Sequence, residues 1–106
     1  MKNILSHYHP EPKDREYRIY AVDFDGTLYV DGKIDMPFLE KLLELQQQGN
    51  YIVLYTCRTM QALDEAIRLC EQHWLTFDDI CVKPYADHYI DDLNLAKETL
   101  LQPVPR

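Results

Sequence analysis

Ile19-Tyr20-Ala21-Val22-Asp23-Phe24-Asp25-Gly26-Thr27 decides how this chain is read. Its first four residues are a mostly apolar run that stops at two carboxylates placed two positions apart. A short run of this kind reads as a strand buried on both faces. Three further runs end in the same manner. Tyr51-Ile52-Val53-Leu54-Tyr55 stops at Thr56, a weaker run over 77–82 stops at Lys83, and His88-Tyr89-Ile90 stops at Asp91 and Asp92. Every run therefore ends in groups capable of chemistry.

Helical patterns lie between the runs. Phe38, Leu42 and Leu45 form one apolar stripe, widened by Leu39 and Leu43. Pro37 suits its first turn and Gly49 the position just past its end. Leu63, Ala66, Ile67 and Cys70 form a second stripe. Thr59 is its expected N-cap, Asp64 and Glu65 sit early, and His73 sits late, as the helix dipole favours. A short last helix is expected from about 94 to 101, before Pro103. Between the first strand and the first helix, Leu28-Tyr29-Val30-Asp31-Gly32-Lys33-Ile34 carries the Asp-Gly signal of a hairpin.

Strands alternating with helices predict a three-layer, Rossmann-like α/β domain. Its parallel sheet has about four strands with helices on both faces, and a small hairpin follows the first strand. In such sheets ligands bind beyond the carboxyl ends of the strands, where the polar residues fall here. Residues 18–106 form this core domain. Residues 1–17, with Pro10, Pro12, two histidines and several charges, read as an extended or mobile arm.

Bulk properties narrow the function. A chain of 106 residues suits one domain with one modest core. No run of about 18 apolar residues is present, so no membrane partner is expected. The net charge of −7 disfavours non-specific binding to nucleic acid or anionic lipid. It leaves small phosphorylated molecules open, because a bound metal reverses the local field. Cys57, Cys70 and Cys81 are odd in number and widely spaced, which fits reduced thiols and a cytoplasmic location.

Residues two apart on an extended segment point to one side, so Asp23 and Asp25 are expected to converge at the strand end. Neighbouring carboxylates repel, and a divalent cation relieves the repulsion. Oxygen-only donors favour Mg²⁺, with Asp91 or Asp92 supplying a further ligand. Phosphoryl transfer needs a nucleophile in line, a proton donor and positive charge around the transferred group. Asp23 can attack, and Asp25 can protonate the leaving group and then activate water. Thr56 can bond a phosphate oxygen, and Lys83 can neutralise charge. Taken singly, an Asp-x-Asp pair is a solvated strand end, a threonine there reflects β-propensity, and a lysine before proline is solvated. Their placement after successive strands, with Gly26 and Thr27 following the first pair, favours the site.

Asp23-Phe24-Asp25-Gly26-Thr27-Leu28 resembles the first motif of the haloacid dehalogenase superfamily of phosphohydrolases. The resemblance implies that Asp23 is the nucleophile and Asp25 the general acid/base, with the backbone carbonyl of Asp25 facing the metal. Tyr55-Thr56-Cys57-Arg58 is similar to the second motif and assigns Thr56 the phosphate-binding hydroxyl. Lys83 matches the third-motif lysine. Tyr89-Ile90-Asp91-Asp92 is similar to the acidic fourth motif, which makes Asp91 and Asp92 metal candidates. The resemblance covers about residues 18–100, and the stretch 83–92 further resembles very small members. Typical members carry a cap domain that selects the substrate. Here 28–37 has room only for a hairpin and nothing large fits between Thr56 and Lys83, so the resemblance is to a capless form. Lys83 stands closer to Asp91 than in most members.

The expected activity is Mg²⁺-dependent hydrolysis of phosphomonoesters through an aspartyl-phosphate. Substrate contacts fall on Gly26, Thr27, Thr56 and Arg58, where Arg58 holds a remote anion or else forms a surface ion pair beside the helix start. Without a cap, specificity falls to the hairpin, the loop after Thr56, residues 1–17 or a second copy of the chain. The acidic charge leans towards small phosphorylated substrates. Two other readings compete. One is a catalytically silent binding module on the same fold. The other is a receiver-like phosphoacceptor domain, which the chain order disfavours because there the phosphorylated aspartate follows the acidic pair. A cysteine phosphatase is rejected, because Cys57 and Arg58 are adjacent and leave no amide loop between them.

Overall fold

The computed structural model describes residues 9–83 and 100–101. After a short 3₁₀ turn at Pro12–Asp14 come β1 (Ile19–Val22), β2 (Tyr29–Val30), β3 (Lys33–Ile34), α1 (Met36–Gln47), β4 (Tyr51–Thr56), α2 (Met60–Glu71) and β5 (Asp79–Val82). The strands β1, β4 and β5 form a parallel sheet in the order β1-β4-β5, and β2 and β3 form a separate antiparallel hairpin. This is a small α/β fold with a three-stranded parallel sheet and two helices. The fourth strand expected at 88–90, and most of the last helix, lie outside the described residues. Of the latter, Leu100 packs against the core. Among the described residues no helix is long and apolar enough to cross a membrane.

The central strand is the most buried. Ile52, Val53 and Leu54 of β4 are all removed from solvent, so both faces of that strand are covered. β1 departs from expectation: Val22 is buried, but Ala21 is exposed. Among the described residues β1 pairs only with β4, and a strand paired on one side gains less cover than one between two neighbours.

Local sequence accounts for the helix ends. Asp35 caps α1, its Oδ1 accepting the Phe38 N–H at 3.2 Å, and Pro37 lies in the first turn. Phe38, Leu39, Leu42 and Leu45 face the core. Gly49 ends the run with φ +97°, a conformation that costs glycine no Cβ clash. The next residue, Asn50, accepts the Arg18 N–H on Oδ1 at 2.9 Å, while the Tyr51 N–H donates to the Arg18 carbonyl. These two bonds help set the register Ile19↔Tyr51. Thr59 precedes α2 as its N-cap, but its side chain makes no capping bond. The next residue, Met60, has φ +53°, so the chain enters the helix through a left-handed residue rather than the geometry a capping hydroxyl needs.

The core joins Phe24, Leu28, Leu39, Leu42, Leu54, Leu75 and Phe77. At the far end of the sheet from the acidic turn, Asp78 Oδ2 accepts the Ile52 N–H at 2.7 Å and the Gln46 amide at 3.1 Å. This carboxylate ties α1 to two strands. Asp78→Ala is expected to cost about 1–3 kcal/mol, because a backbone donor in the sheet loses its partner. Urea denaturation measures it, and an unchanged midpoint refutes the role. Residues 9–17, expected as an extended or mobile arm, lie against this end. Tyr17 packs on Tyr51 with ring centroids 4.9 Å apart, and His9 bonds the Tyr17 hydroxyl through Nδ1. Trp74 is exposed in the turn after α2.

The three thiols are free. Cys70 is fully buried, and desolvation pushes its pKa up to about 12. A thiol held protonated is a poor nucleophile. Iodoacetamide is therefore expected to modify the half-buried Cys57 and Cys81 of the folded protein well before Cys70. Mass spectrometry of the alkylated peptides checks this, and early labelling of Cys70 contradicts its burial.

Candidate active site at the strand ends

All three parallel strands deliver a predicted site residue at their carboxyl ends. Asp23 follows β1, Thr56 closes β4 and Lys83 follows β5. The register places Thr56 opposite Val82, and the Lys83 N–H donates to the Thr56 carbonyl at 2.9 Å. That bond fixes where the lysine side chain starts. Its Nζ then lies 3.1 Å from Asp23 Oδ2, with only 10% of the lysine side chain exposed, and 5.3 Å from the centre of the Tyr55 ring. The ammonium thus faces a carboxylate on one side and an aromatic face on another.

The acidic turn is built by its backbone. The Phe24 carbonyl accepts the N–H groups of Thr27, Leu28 and Tyr29 at 3.2, 2.9 and 2.8 Å, and the Gly26 N–H donates to the Tyr29 carbonyl at 2.9 Å. Gly26 has φ +79°, and a Cβ there would meet nothing within 4 Å. Glycine is needed for its backbone angle and not for space. Asp23 Oδ1 accepts the Phe24 N–H at 2.9 Å. Phe24, between the two acids, is fully buried. The hairpin grows directly from this turn. Asp31 and Gly32 have φ +53° and +78°, the pair of left-handed residues that a two-residue type I′ turn requires.

Asp23 and Asp25 stand two positions apart in the turn, and each engages a different cation. Asp25 is 57% exposed and forms an ion pair with Arg58. Arg58 Nε donates to Oδ2 and Nη2 to Oδ1, both at 2.8 Å. The hydrogen bond from Arg58 holds the Asp25 carboxyl below the usual carboxylate range against the opposing effect of burial, and the charges of Arg58 and Lys83 add to it. Thr56 is 1% exposed; its Oγ1 accepts the Arg58 backbone N–H at 3.1 Å, which leaves its own proton to donate.

Four candidates, Asp23, Asp25, Thr56 and Lys83, are brought to one end of the sheet, with Gly26 and Thr27 in the turn beside them. Asp91 and Asp92 lie outside the described residues. Among the described residues no three metal-ligating side chains gather in one group. The two carboxylates of the turn are nonetheless hard oxygen donors and partly open to solvent, the donor type Mg²⁺ takes. Sequence reasoning left Arg58 between two roles and did not single out its aromatic seat. The guanidinium carbon lies 4.7 Å from the Phe24 ring and 5.6 Å from that of Tyr29, and the two rings stack at 5.1 Å. The available signal was Tyr29 at the base of an Asp-Gly hairpin, two residues past Thr27.

No family model and no curated protein matches this chain. Two solved structures are similar to it. One, of a conserved protein from Bacteroides thetaiotaomicron, is 35% identical over 74% of this chain and 77% of that one, with a TM-score of 0.55. The other, a crystal structure of a protein from Vibrio cholerae, is 25% identical over 79% of this chain and 87% of that one, with a TM-score of 0.63. Neither likeness brings an activity with it.

Proposed function

We propose that this chain, which belongs to one family with the conserved Bacteroides thetaiotaomicron protein, is a Mg²⁺-dependent phosphomonoester hydrolase of the haloacid dehalogenase type without a cap domain. On this reading the apolar run 88–90 is a fourth strand of a three-layer fold. The observation that carries it is the ion pair of a nearly buried Lys83 with Asp23 at the end of a parallel sheet, beside the buried Thr56 hydroxyl. A lysine held there draws an anionic phosphoryl group to the carboxylate that would attack it.

The roles follow from chemistry. The Asp23 carboxylate attacks phosphorus and the bond to the leaving oxygen breaks; Asp25, which must first leave its pair with Arg58 and take up a proton from solvent, delivers that proton to the leaving oxygen. Asp25, then ionised, takes a proton from water as the water attacks the phosphoryl-aspartate, which regenerates Asp23 and releases phosphate. Thr56 donates its hydroxyl proton to a phosphoryl oxygen, and Lys83 balances charge on Asp23 and the phosphoryl group. Mg²⁺, held by Asp23, Asp25 and one of Asp91 and Asp92, would supply further positive charge and a template for the phosphate. The net charge of −7 favours small phosphorylated molecules over polynucleotides as substrates.

The test is a panel of phosphorylated metabolites, polynucleotide ends and p-nitrophenyl phosphate, assayed with and without Mg²⁺ beside an Asp23→Asn control. Hydrolysis that needs both Mg²⁺ and Asp23 is the expected result. Silence across the whole panel would point instead to a binding module.

A further inference from the structure

We infer that Tyr55 is a positioning residue, whose ring holds the Lys83 ammonium over the end of β4 so that it faces Asp23 and the phosphoryl group. The inference rests on the phosphatase reading above and adds to that site a residue to which none of the four sequence motifs gives a role.

The order of the strands sets the problem. Lys83 follows β5 and Asp23 follows β1, with β4 between them. Two strand spacings, roughly 10 Å in all, separate their backbones. The lysine stem has four rotatable bonds and its ammonium is strongly hydrated, so the residue by itself has no preference for this path over solvent. Yet only 10% of its side chain is exposed, and Nζ lies 3.1 Å from Asp23 Oδ2. Tyr55, next to last in β4, stands on the path. Its register partner in β5 is Cys81, and Lys83, two positions on, falls to the same face. The Tyr55 ring is half-buried, and its centre lies 5.3 Å from Nζ. At that range the negative face of an aromatic ring attracts a cation. The carboxylate alone gives a less constant hold. Asp23 changes during the proposed reaction from a free anion to a phosphoryl-aspartate, and its attraction for the ammonium changes with it. The face of the ring stays the same through both steps, so it can keep the positive charge beside the phosphoryl group as that group arrives and leaves.

The test uses the full chain with Mg²⁺ and p-nitrophenyl phosphate. Tyr55→Phe keeps the aromatic face and should retain kcat/KM within about twofold. Tyr55→Leu removes the face, and kcat/KM should fall about tenfold. Tyr55→4-fluorophenylalanine and Tyr55→pentafluorophenylalanine keep the ring and its shape but withdraw charge from its face. Their kcat/KM should fall in that order, the second to about the level of Tyr55→Leu. The Lys83 ε-methylene protons should carry a ring-current shift in the wild type, and Tyr55→Leu should abolish it. A pentafluoro variant as active as Tyr55→Phe would mean that the ring acts by shape alone. A loss in Tyr55→Phe as deep as in Tyr55→Leu would mean that the hydroxyl acts. Either result overturns the inference, as does full activity in Tyr55→Leu. Thermal melts identify a leucine variant that fails to fold, and the fluorinated pair then carries the test. A wild type as inactive as Asp23→Asn sinks the phosphatase reading itself, and the role of Tyr55 with it.

Discussion

Asp23→Asn is expected to lower phosphomonoester turnover by roughly 10⁴-fold or more while the chain still folds. The amide is nearly the size of the carboxylate, and its oxygen can still accept the Phe24 N–H. It cannot attack phosphorus usefully and cannot form the phosphoryl-aspartate. It also withdraws one negative charge from the Lys83 ammonium, 3.1 Å away. Because Asp23 is partly exposed, that loss should cost only about 1 kcal/mol of stability. Release of p-nitrophenol and a thermal melt measure the two effects separately. A variant keeping a tenth or so of wild-type turnover would show that another group makes the attack. Acetyl phosphate adds a second discrimination. A receiver-like domain would keep a long-lived phosphoryl group, whereas the wild type here should turn it over and Asp23→Asn should do neither.

Phe24→Ala should be the most damaging substitution for stability, at about 3–5 kcal/mol. The ring is fully buried, lies between the two acids in sequence and stacks on Tyr29 at 5.1 Å with its plane tilted only 10°. Against a typical domain stability of about 5–15 kcal/mol, the loss is a large share. Removing the ring leaves a cavity under the acidic turn and takes away one of the two aromatic faces beneath Arg58. Activity should therefore fall even in conditions where the variant is folded. Phe24→Leu, which keeps most of the volume, should cost only about 1.5 kcal/mol. Urea denaturation of the three proteins gives the ranking. A loss below about 1 kcal/mol for the alanine variant would mean that the turn does not depend on this ring.

The two substitutions act on neighbouring residues yet test different things. Asp23 carries proposed chemistry and little of the packing; Phe24 carries packing and no chemistry. Their separation within one short turn is why an alternating pattern of acid, aromatic and acid is informative. The acids stay in reach of solvent because the aromatic between them is anchored in the core.

Elements whose causes are local were legible from residue order. The apolar runs of β4 and α1, the Asp31-Gly32 turn and the break at Gly49 follow from neighbouring side chains and backbone angles, and each sits where those rules place it. The arrival of Asp23, Thr56 and Lys83 at one end of the sheet was also foreseeable, since parallel strands must all end on the same side. The pairing of Asp25 with Arg58 was not. Asp25 and Arg58 stand 33 residues apart, and their pairing depends on the register of β1 against β4 and on where the first turn of α2 begins. Lys83 reaches Asp23 only because β5 joins the sheet beside β4 and its first following N–H bonds the Thr56 carbonyl. Near-neighbour preferences decide what each segment becomes. Which distant charges meet is decided by how the segments pack, because a shift of one residue in register would carry each side chain to the opposite face.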